Sequence, residues 1–219
     1  MIFVVYRIQK ISFKNDGKVE LVFTDKSKLK VSQNLALEMN LRSDMELSHV
    51  EYQQLEGKIH IEKCRKKLLD YLSRRPHARK ELRQKMARTR DYSYELIDAL
   101  LDEAESQGFI NDLEFARLFV EDSINLRKQD GPGKIRSRLS LKGVSSAIID
   151  QVMLEFASDP EDEYEKIIQL ALKKWRTYQS NLELHKRKAR LYRFLISRGF
   201  PSHLVGNAVS EVSRQTGDY

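Results

Sequence analysis

The chain has 219 residues and a formal net charge of +7; 32% of its residues are charged, and only nine are glycine and four are proline. This composition favours helical modules, and no segment resembles a membrane span. The single cysteine, Cys64, excludes an internal disulfide and is typical of a protein of the reducing cytoplasm.

Residues 1–60 are predicted to form a small β-rich domain with one or two short helices. Asn15–Lys18 is a hairpin signal between the first two of three antiparallel strands. Because three short strands are marginal alone, a short helix over Leu35–Leu41 is expected to cover them. Ser48 and Glu51 match a capping box for a helix that runs through Leu55 and is interrupted at Gly57. The predicted strands are Met1–Phe13, Val19–Phe23 and Leu29–Val31.

From about residue 62 onward, one apolar spacing occurs three times, with steps of four, five or six, five and three residues. The four-residue step is one helical turn, and the following step spans a tight turn, so each copy predicts a helix, a sharp turn and a second helix. Gly143 and Gly199 are expected in the turns of copies two and three. The first copy has Arg90 or Asp91 near that position and one extra residue, so its turn should differ. The repeated residues are Leu82, Met86, Tyr92, Ile97 and Leu100, then Ile135, Leu139, Val144, Ile149 and Val152, then Leu191, Leu195, Phe200, Val205 and Ala208.

A further helix is predicted before each pair, so that the chain contains three consecutive three-helix units. The predicted fold is mainly α: three tandem, helix-turn-helix-like three-helix repeats form an elongated, curved molecule behind the small N-terminal antiparallel sheet. The units are 61–108, 109–158 and 159–219. The preceding helices are Lys63–Leu72, Leu113–Leu126 and Tyr164–Trp175, with Leu68, Leu69, Leu72, Phe115 and Phe119 on their inner faces, and the loops are Gln129–Gly133 and Thr177–Leu184.

The stretch Gly108–Arg117 marks the junction between the first two units. Gly108 can adopt the left-handed conformation that closes a helix. Asn111 can cap the next helix, with Glu114 as the third residue of a capping box. Ile110 and Phe115 stand at the two positions of a hydrophobic staple.

Catalytic, metal and cofactor sites find little support. The five histidines are scattered, and only His60 and Cys64 have a metal-like spacing, which is too few ligands for a site. The segment Gly131–Lys134 lacks the spacing of a phosphate-binding loop, so it is interpreted as a helix start. The sequence therefore predicts a protein that is not an enzyme and needs no cofactor.

The basic residues are concentrated. Between Lys63 and Arg90 there are twelve Lys/Arg against two acids, Asp70 and Glu81. In the third copy Lys186, Arg190 and Arg193 fall within about 60° of one another on a helical wheel, opposite Leu191 and Leu195, and Arg198 is assigned to the same cationic stripe. Such asymmetry favours a polyanionic partner, either nucleic acid or an acidic protein groove, over a merely solvated face. The predicted contacts are Arg79, Lys80, Arg83, Lys85, Lys134, Arg136, Lys186, Arg190 and Arg193.

Four motifs, taken in order and spacing, resemble the RecX family of regulators of bacterial RecA recombinase filaments. They are Arg75–Leu82 (Arg-Pro-His-Ala-Arg-Lys-Glu-Leu), Gly108–Ala116, Lys142–Val144 and Arg198–Phe200. The resemblance covers residues 60–212, and the strand-rich start is similar to the N-terminal extension of longer members. The matching structural positions are Glu81, Leu82, Gly108, Asn111, Asp112, Phe115, Ala116, Gly143 and Gly199.

The resemblance implies an all-helical crescent, acting in the bacterial cytoplasm in DNA repair, recombination and the SOS response. The resemblance also implies binding in the groove of RecA filaments on DNA, with inhibition of ATP hydrolysis, strand exchange and co-protease activity. Contact with single- or double-stranded DNA is then expected to be weak, non-specific and salt-sensitive. The chain is expected to be a monomer with no membrane partner.

Two positions depart from the family pattern. Asn111 stands where members commonly have an acid, and Ala78 stands where they usually have a Ser cap, a loss of about 1 kcal/mol.

Two other functions stay open. One alternative is a free-standing DNA-binding protein of the helix-turn-helix type. The other is a repeat scaffold for an acidic protein partner.

Overall fold

The structure is a computed structural model that describes residues 5–125, 130–157, 159–178 and 182–216. The fold is mainly α with a small antiparallel sheet at the N-terminus, as predicted. The strands are β1 (Val5–Phe13), β2 (Lys18–Phe23), β3 (Lys28–Ser32) and β4 (Glu46–Ser48). The helices are α1 (Gln33–Glu38), α2 (His49–Leu72), α3 (Arg79–Ala87), α4 (Tyr94–Ser106), α5 (Asp112–Asn125), α6 (Pro132–Lys142), α7 (Ser146–Glu155), α8 (Pro160–Trp175), α9 (Leu184–Ser197) and α10 (Ser202–Gln215). Parts of the predicted elements lie outside the described residues. They are residues 1–4 of the first strand, Leu126 of a predicted helix, and Gln129 and residues 179–181 of the predicted loops.

The N-terminal sheet has four strands in the order β3-β2-β1-β4, whereas the sequence predicts three. The fourth strand has only three residues and pairs with Val5–Arg7, so it is too short to leave a pattern in the sequence. The predicted short helix is α1, which buries Leu35 and Ala36 against the sheet. The prediction of a small antiparallel sheet is confirmed, and its strand count is corrected.

Helix α2 is continuous through Gly57, so the predicted interruption is wrong. Ser48 caps it with the expected capping box, in which the Ser48 N–H donates to Glu51 Oε2 over 2.7 Å. Leu55 and Ile59 lie in the core of the sheet, while Cys64 and Leu68 lie in the core of the first three-helix unit. Burial on both sides of Gly57 outweighs the cost of about 1 kcal/mol for a helical glycine. Helix α2 therefore joins the sheet to the repeats.

The threefold apolar repeat is confirmed. Fourteen of its fifteen residues are buried, and the remaining one, Tyr92, is partly buried against the first core. Leu69, which is predicted on the inner face of α2, is 46% exposed, and this assignment is wrong. The described residues form four separate apolar cores, one beneath the sheet and one in each unit.

An array of separate cores is less compact than a globule. The accessible surface is 14307 Å² for 25.7 kDa, against about 10,400 Å² for a compact monomer of that mass. The excess agrees with an extended chain of units. Among the described residues, no helix is both long and apolar enough to cross a bilayer.

The turns of the repeat differ as predicted. Gly143 and Gly199 have φ of 90° and 85°, while in the first copy Arg90 takes the left-handed conformation at 56°. After α6 and α9, the next N–H groups return to the helix, as in Val144 N–H to Leu139 O at 3.2 Å. These two helices therefore end in Schellman motifs.

The second helices of the three units meet end to end. At the C-terminal end of α9, Arg198 O and Gly199 O accept hydrogen bonds of 2.7 and 2.9 Å from the N–H groups of Gly131 and Gly133, at the start of α6. At the C-terminal end of α6, Gly143 packs against Lys80 in the first turn of α3, where an added Cβ would lie 2.3 Å from the Lys80 side chain. Each contact brings the negative end of one helix dipole to the positive end of another. We call α3, α6 and α9 the second-helix row.

Candidate partner-binding surface

The basic field of the first unit is partly neutralised by α4. This helix carries five acids and no Lys or Arg. Arg79 binds Asp102 and Glu105 at 2.6 and 3.0 Å. Arg83 donates twice to Asp98, at 2.6 and 2.9 Å. The excess of positive charge between residues 63 and 90 is therefore much smaller in the folded unit than along the sequence.

Of the nine predicted contacts, three lack an ion-pair partner among the described residues. Lys80, Arg190 and Arg193 are exposed, and all three lie on the second-helix row. Lys134 is bound to Asp130 at 2.9 Å, Lys186 lies 3.1 Å from Glu183, and Arg136 is paired with Asp150. Lys85 lies 3.3 Å from Glu81. The fourth residue of the predicted cationic stripe, Arg198, points into a cluster described below.

A half-buried carboxylate, Glu81, joins the first two units. Its oxygens lie 2.6 Å from Arg75, 3.3 Å from Lys85 and 3.1 Å from Lys142 at the end of α6. Burial of the carboxyl opposes its ionisation, but hydrogen bonds from Arg75 and Lys142 outweigh this and lower its pKa to about 2. We call these four residues the Glu81 cluster.

Buried His77 extends the Glu81 cluster. Its Nε2 lies 2.8 Å from Lys85 Nζ, and its Nδ1 lies 2.8 Å from Arg75 O. Because an ammonium group can only donate, Nε2 accepts and Nδ1–H donates to the carbonyl. Burial lowers the pKa of this imidazole, in agreement with a neutral ring.

Asp130 plays the same part between the second and third units. Its side chain is 3% exposed and binds Lys134 at 2.9 Å, Arg138 at 3.0 Å and Arg198 at 3.3 Å. Burial raises the pKa of the carboxyl, but hydrogen bonds and the positive charges of these partners outweigh it, so the pKa is lowered overall. We call this set the Asp130 cluster.

The two clusters use equivalent positions of the repeat. Lys142 and Arg198 both stand seven residues after the first repeated apolar residue of their copies, which is Ile135 or Leu191. Lys85 and Arg138 both stand three residues after theirs. The clusters differ in the position of the carboxylate: Glu81 belongs to α3, whereas Asp130 precedes α6. The second and third units thus each use the end of the second helix to reach an acid on the unit before.

The comparisons with known proteins agree with this architecture. Three family models match in the order of the units: the first three-helix domain of RecX over residues 64–103, the second over 111–153 and the third over 161–209. A curated relative from Chlorobium phaeobacteroides, named regulatory protein RecX, is 33% identical over 65% of this chain and 89% of its own length. The chain belongs to the RecX family.

Other RecX proteins extend the match into the sheet. The regulatory protein RecX of Clostridium beijerinckii is 24% identical over 93% of both chains. A crystal structure of regulatory protein RecX has a TM-score of 0.68 and 26% identity, and the match covers 91% of this chain and 96% of that one. RecX from Lactobacillus salivarius has a TM-score of 0.58 over 70% of this chain and 97% of its own.

The central RecX motif joins two units. Gly108 has φ of 76° and ends α4 in a Schellman motif, with Phe109 N–H to Ala104 O at 2.9 Å. Asn111 Oδ1 accepts from the N–H groups of Leu113 and Glu114 at 3.0 and 3.1 Å, so it caps α5 as predicted. The expected staple residues, Ile110 and Phe115, are both buried, but in the first and second cores respectively, and Ala116 lies in the second core as well.

Asp112 of the same motif compensates for the departure at Ala78. Ala78 makes no side-chain cap on α3 and is fully buried in the core of the second unit. Asp112 Oδ1 accepts the N–H of Arg79 at 2.8 Å, so the next unit supplies a cap from outside the helix. A family-motif acid is therefore a junction residue in this structure.

Sequence reasoning missed Asp130, Lys142, Arg198 and Arg75 as junction residues. Lys142 and Arg198 enter the sequence argument only through turn motifs and a helical wheel, although their shared position in the repeat is visible in the sequence. Asp130 stands next to a glycine-rich turn and offers no such signal, because its three partners come from one neighbouring helix and one distant unit.

Proposed function

We propose that this chain binds RecA filaments on DNA and regulates them, with inhibition of ATP hydrolysis, strand exchange and co-protease activity as the expected direction. Membership of the RecX family carries the proposal, since its curated members are named regulatory proteins. In this proposal the chain acts as a monomer in the bacterial cytoplasm, without a cofactor and without catalysis of its own.

Exposed cations on the second-helix row are the proposed contacts. Lys80, Arg190 and Arg193 can meet phosphates or acidic side chains without first giving up an ion pair to any described residue. The six other predicted contacts are secondary, because each would have to exchange a partner that it already holds. Since Lys80 belongs to the first unit and the two arginines to the third, one bound chain spans the length of the row.

The mechanism that fits such a surface is occupancy. A chain that touches several sites of a filament at once favours the subunit arrangement to which it binds best. It can shift the filament only as far as its affinities for the two arrangements differ. Slower ATP turnover follows if the favoured arrangement is one that hydrolysis must leave.

Helix α4 disfavours the alternative of a free-standing helix-turn-helix DNA reader. In a DNA reader of this type the recognition helix, here the third helix of a unit, lies in the major groove between two rows of phosphates, so carboxylates on it would be repelled. Helix α4 stands in that place in the first unit and carries five carboxylates, among them Glu95, Asp98 and Asp102.

The test is ATP hydrolysis by preformed RecA filaments titrated with this protein. The variant Lys80→Ala/Arg190→Ala/Arg193→Ala is expected to raise the half-inhibitory concentration about tenfold, because an exposed ion pair is worth about 0.5 kcal/mol and three such pairs total about 1.5 kcal/mol. A matched control, Arg42→Ala/Lys173→Ala/Arg214→Ala, removes the same charge from exposed positions outside the row and should stay within about twofold of the wild type. Unchanged hydrolysis at saturating wild-type protein would refute the proposal.

A further inference from the structure

The outer face of the N-terminal sheet is set by its register. In β2 Val19, Leu21 and Phe23 are buried, so Lys18, Glu20 and Val22 point to the opposite face. The neighbours of these three on β1 and β3 share that face. They are Lys10 and Lys28 beside Val22, Ser12 and Lys30 beside Glu20, and Ser32 beside Lys18.

This face is strongly basic. Lys14, at the end of β1, lies 3.3 Å from Glu20, the one carboxylate among the outward positions of β2 and their partners on β1 and β3. At the β4 edge of the same face, Glu46 lies opposite Arg7. The other four lysines are exposed and have no ion pair among the described residues: Lys10, Lys18, Lys28 and Lys30. From the spacing of strands and residues, they span about 10 by 14 Å. A hydrogen bond from Lys14 is the main cause that lowers the pKa of Glu20, with smaller contributions from Lys28 and Lys30.

Protection of a sheet edge explains only part of this pattern. Lysines on an edge strand prevent pairing with other chains, and β3, which carries Lys28 and Lys30, is an edge strand. Lys18 lies on β2, which is inside the sheet, so it has no edge to protect. At Lys10, β1 has no strand on its other side because β4 pairs only with Val5–Arg7. Edge protection therefore leaves Lys18, which brings like charges close together, unexplained.

We propose that this outer face is a second binding surface of the protein, which contacts the phosphate backbone of DNA without reading its sequence. The charges are lysines, which act as point charges rather than as bidentate readers of bases. Among the described outward positions the apolar side chains are Val22 and, at the β4 edge, Val5, and none is aromatic. The face therefore lacks stacking platforms for single-stranded bases, anchors for a protein interface and residues that insert into a bilayer.

The inference depends on the proposed function only in that a RecA filament brings DNA close to the chain. The row would contact the filament, while the sheet would hold DNA backbone through a separate element joined by α2. Binding by the sheet face is then measurable on bare DNA, without recombinase.

The experiment measures binding of a fluorescent duplex oligonucleotide over a salt series. The variant Lys10→Gln/Lys18→Gln/Lys28→Gln/Lys30→Gln should bind at least tenfold more weakly near 0.1 M salt. The slope of log K against log salt should become shallower by about 0.9 for each phosphate that the variant no longer neutralises. The control Arg42→Gln/Lys63→Gln/Lys173→Gln/Arg214→Gln, with the same charge, should keep most of the affinity and the slope.

A gain of affinity provides a test that does not depend on how well a weakened variant folds. Glu20→Gln removes the carboxylate that lies among the five lysines and should tighten duplex binding at least twofold. Equal binding by the wild type and the quadruple sheet variant, or no binding by the wild type at low salt, would overturn the inference. So would a sheet variant that loses binding to vesicles containing phosphatidylserine but not to DNA. ATPase inhibition is measured separately, so its absence would remove the proposed function and leave this result standing.

Discussion

Glu81→Gln should destabilise the chain by up to about 3 kcal/mol near pH 6. The Glu81 side chain is 14% exposed, and its pKa is lowered from 4.5 to about 2. Each pKa unit corresponds to about 1.4 kcal/mol, so ionisation of this carboxyl stabilises the folded state by about 3 kcal/mol once pH is well above 4.5. The substitution keeps the shape of the side chain and removes the charge that Arg75, Lys85 and Lys142 share.

The cost should depend on pH with a definite sign. Because the pKa of Glu81 is lower in the folded state, its stabilisation is complete above the unfolded pKa and is lost as pH falls toward 2. Near pH 2.5 only about 1 kcal/mol of it remains. The difference in unfolding free energy between wild type and Glu81→Gln should therefore shrink from about 3 to about 1 kcal/mol over this range.

Urea unfolding followed by far-UV circular dichroism near pH 6 and pH 2.5 measures both values. Glu165→Gln, at an exposed position on α8 without an ion pair among the described residues, is the control and should cost less than about 0.5 kcal/mol. Lys142→Gln, alone and combined with Glu81→Gln, isolates the coupling across the unit junction. A Glu81→Gln cost below about 0.5 kcal/mol near pH 6, or an equal cost at both pH values, would refute the argument.

Three further predictions concern the junctions and the core. The loss of unfolding free energy should be smallest for Gly108→Ala, at about 1 kcal/mol, larger for Gly143→Ala and largest for Gly199→Ala. An added Cβ meets open space at Gly108, the Lys80 side chain at Gly143 and the Lys134 backbone, at 2.2 Å, at Gly199. Equal losses for the three variants would contradict this. Asp112→Ala should cost about 1 kcal/mol in urea by removing the cap on α3, and a neutral result would refute the role. Cys64 is fully buried and burial raises its pKa, so a thiol reagent near pH 8 should react far more slowly with it in the folded chain than in urea.

The parts of the fold that sequence predicts well are those with local causes. The repeated apolar residues follow the helical period, and fourteen of the fifteen are buried, as expected. Capping by Ser48 and Asn111 depends on residues within one turn. Helix α2 shows the limit, because Gly57 has a local preference against helix that packing at both ends overrides.

The candidate surface is harder to predict because ion pairing is not local. A count of charges between residues 63 and 90 treats Arg79 and Arg83 as available, whereas α4 binds both with acids that lie further along the chain. In the same way the sequence prediction assigns Arg198 to a cationic stripe, whereas the structure pairs it with Asp130, which stands 68 residues away. Which cations remain exposed and unpaired is decided by packing between elements.

The second-helix row gives these remaining cations a fixed spacing. Lys80 sits where α6 meets α3, while Arg190 and Arg193 belong to α9, whose end meets α6. Their separation is therefore set by two junctions, each of which combines an end-to-end helix contact with a charged cluster. A partner that repeats along an axis, as a filament does, is bound best by contacts whose spacing is fixed beforehand, because less freedom is lost on binding. It follows that loosening a junction, as in Glu81→Gln, should weaken filament binding even though Glu81 itself need not touch the filament.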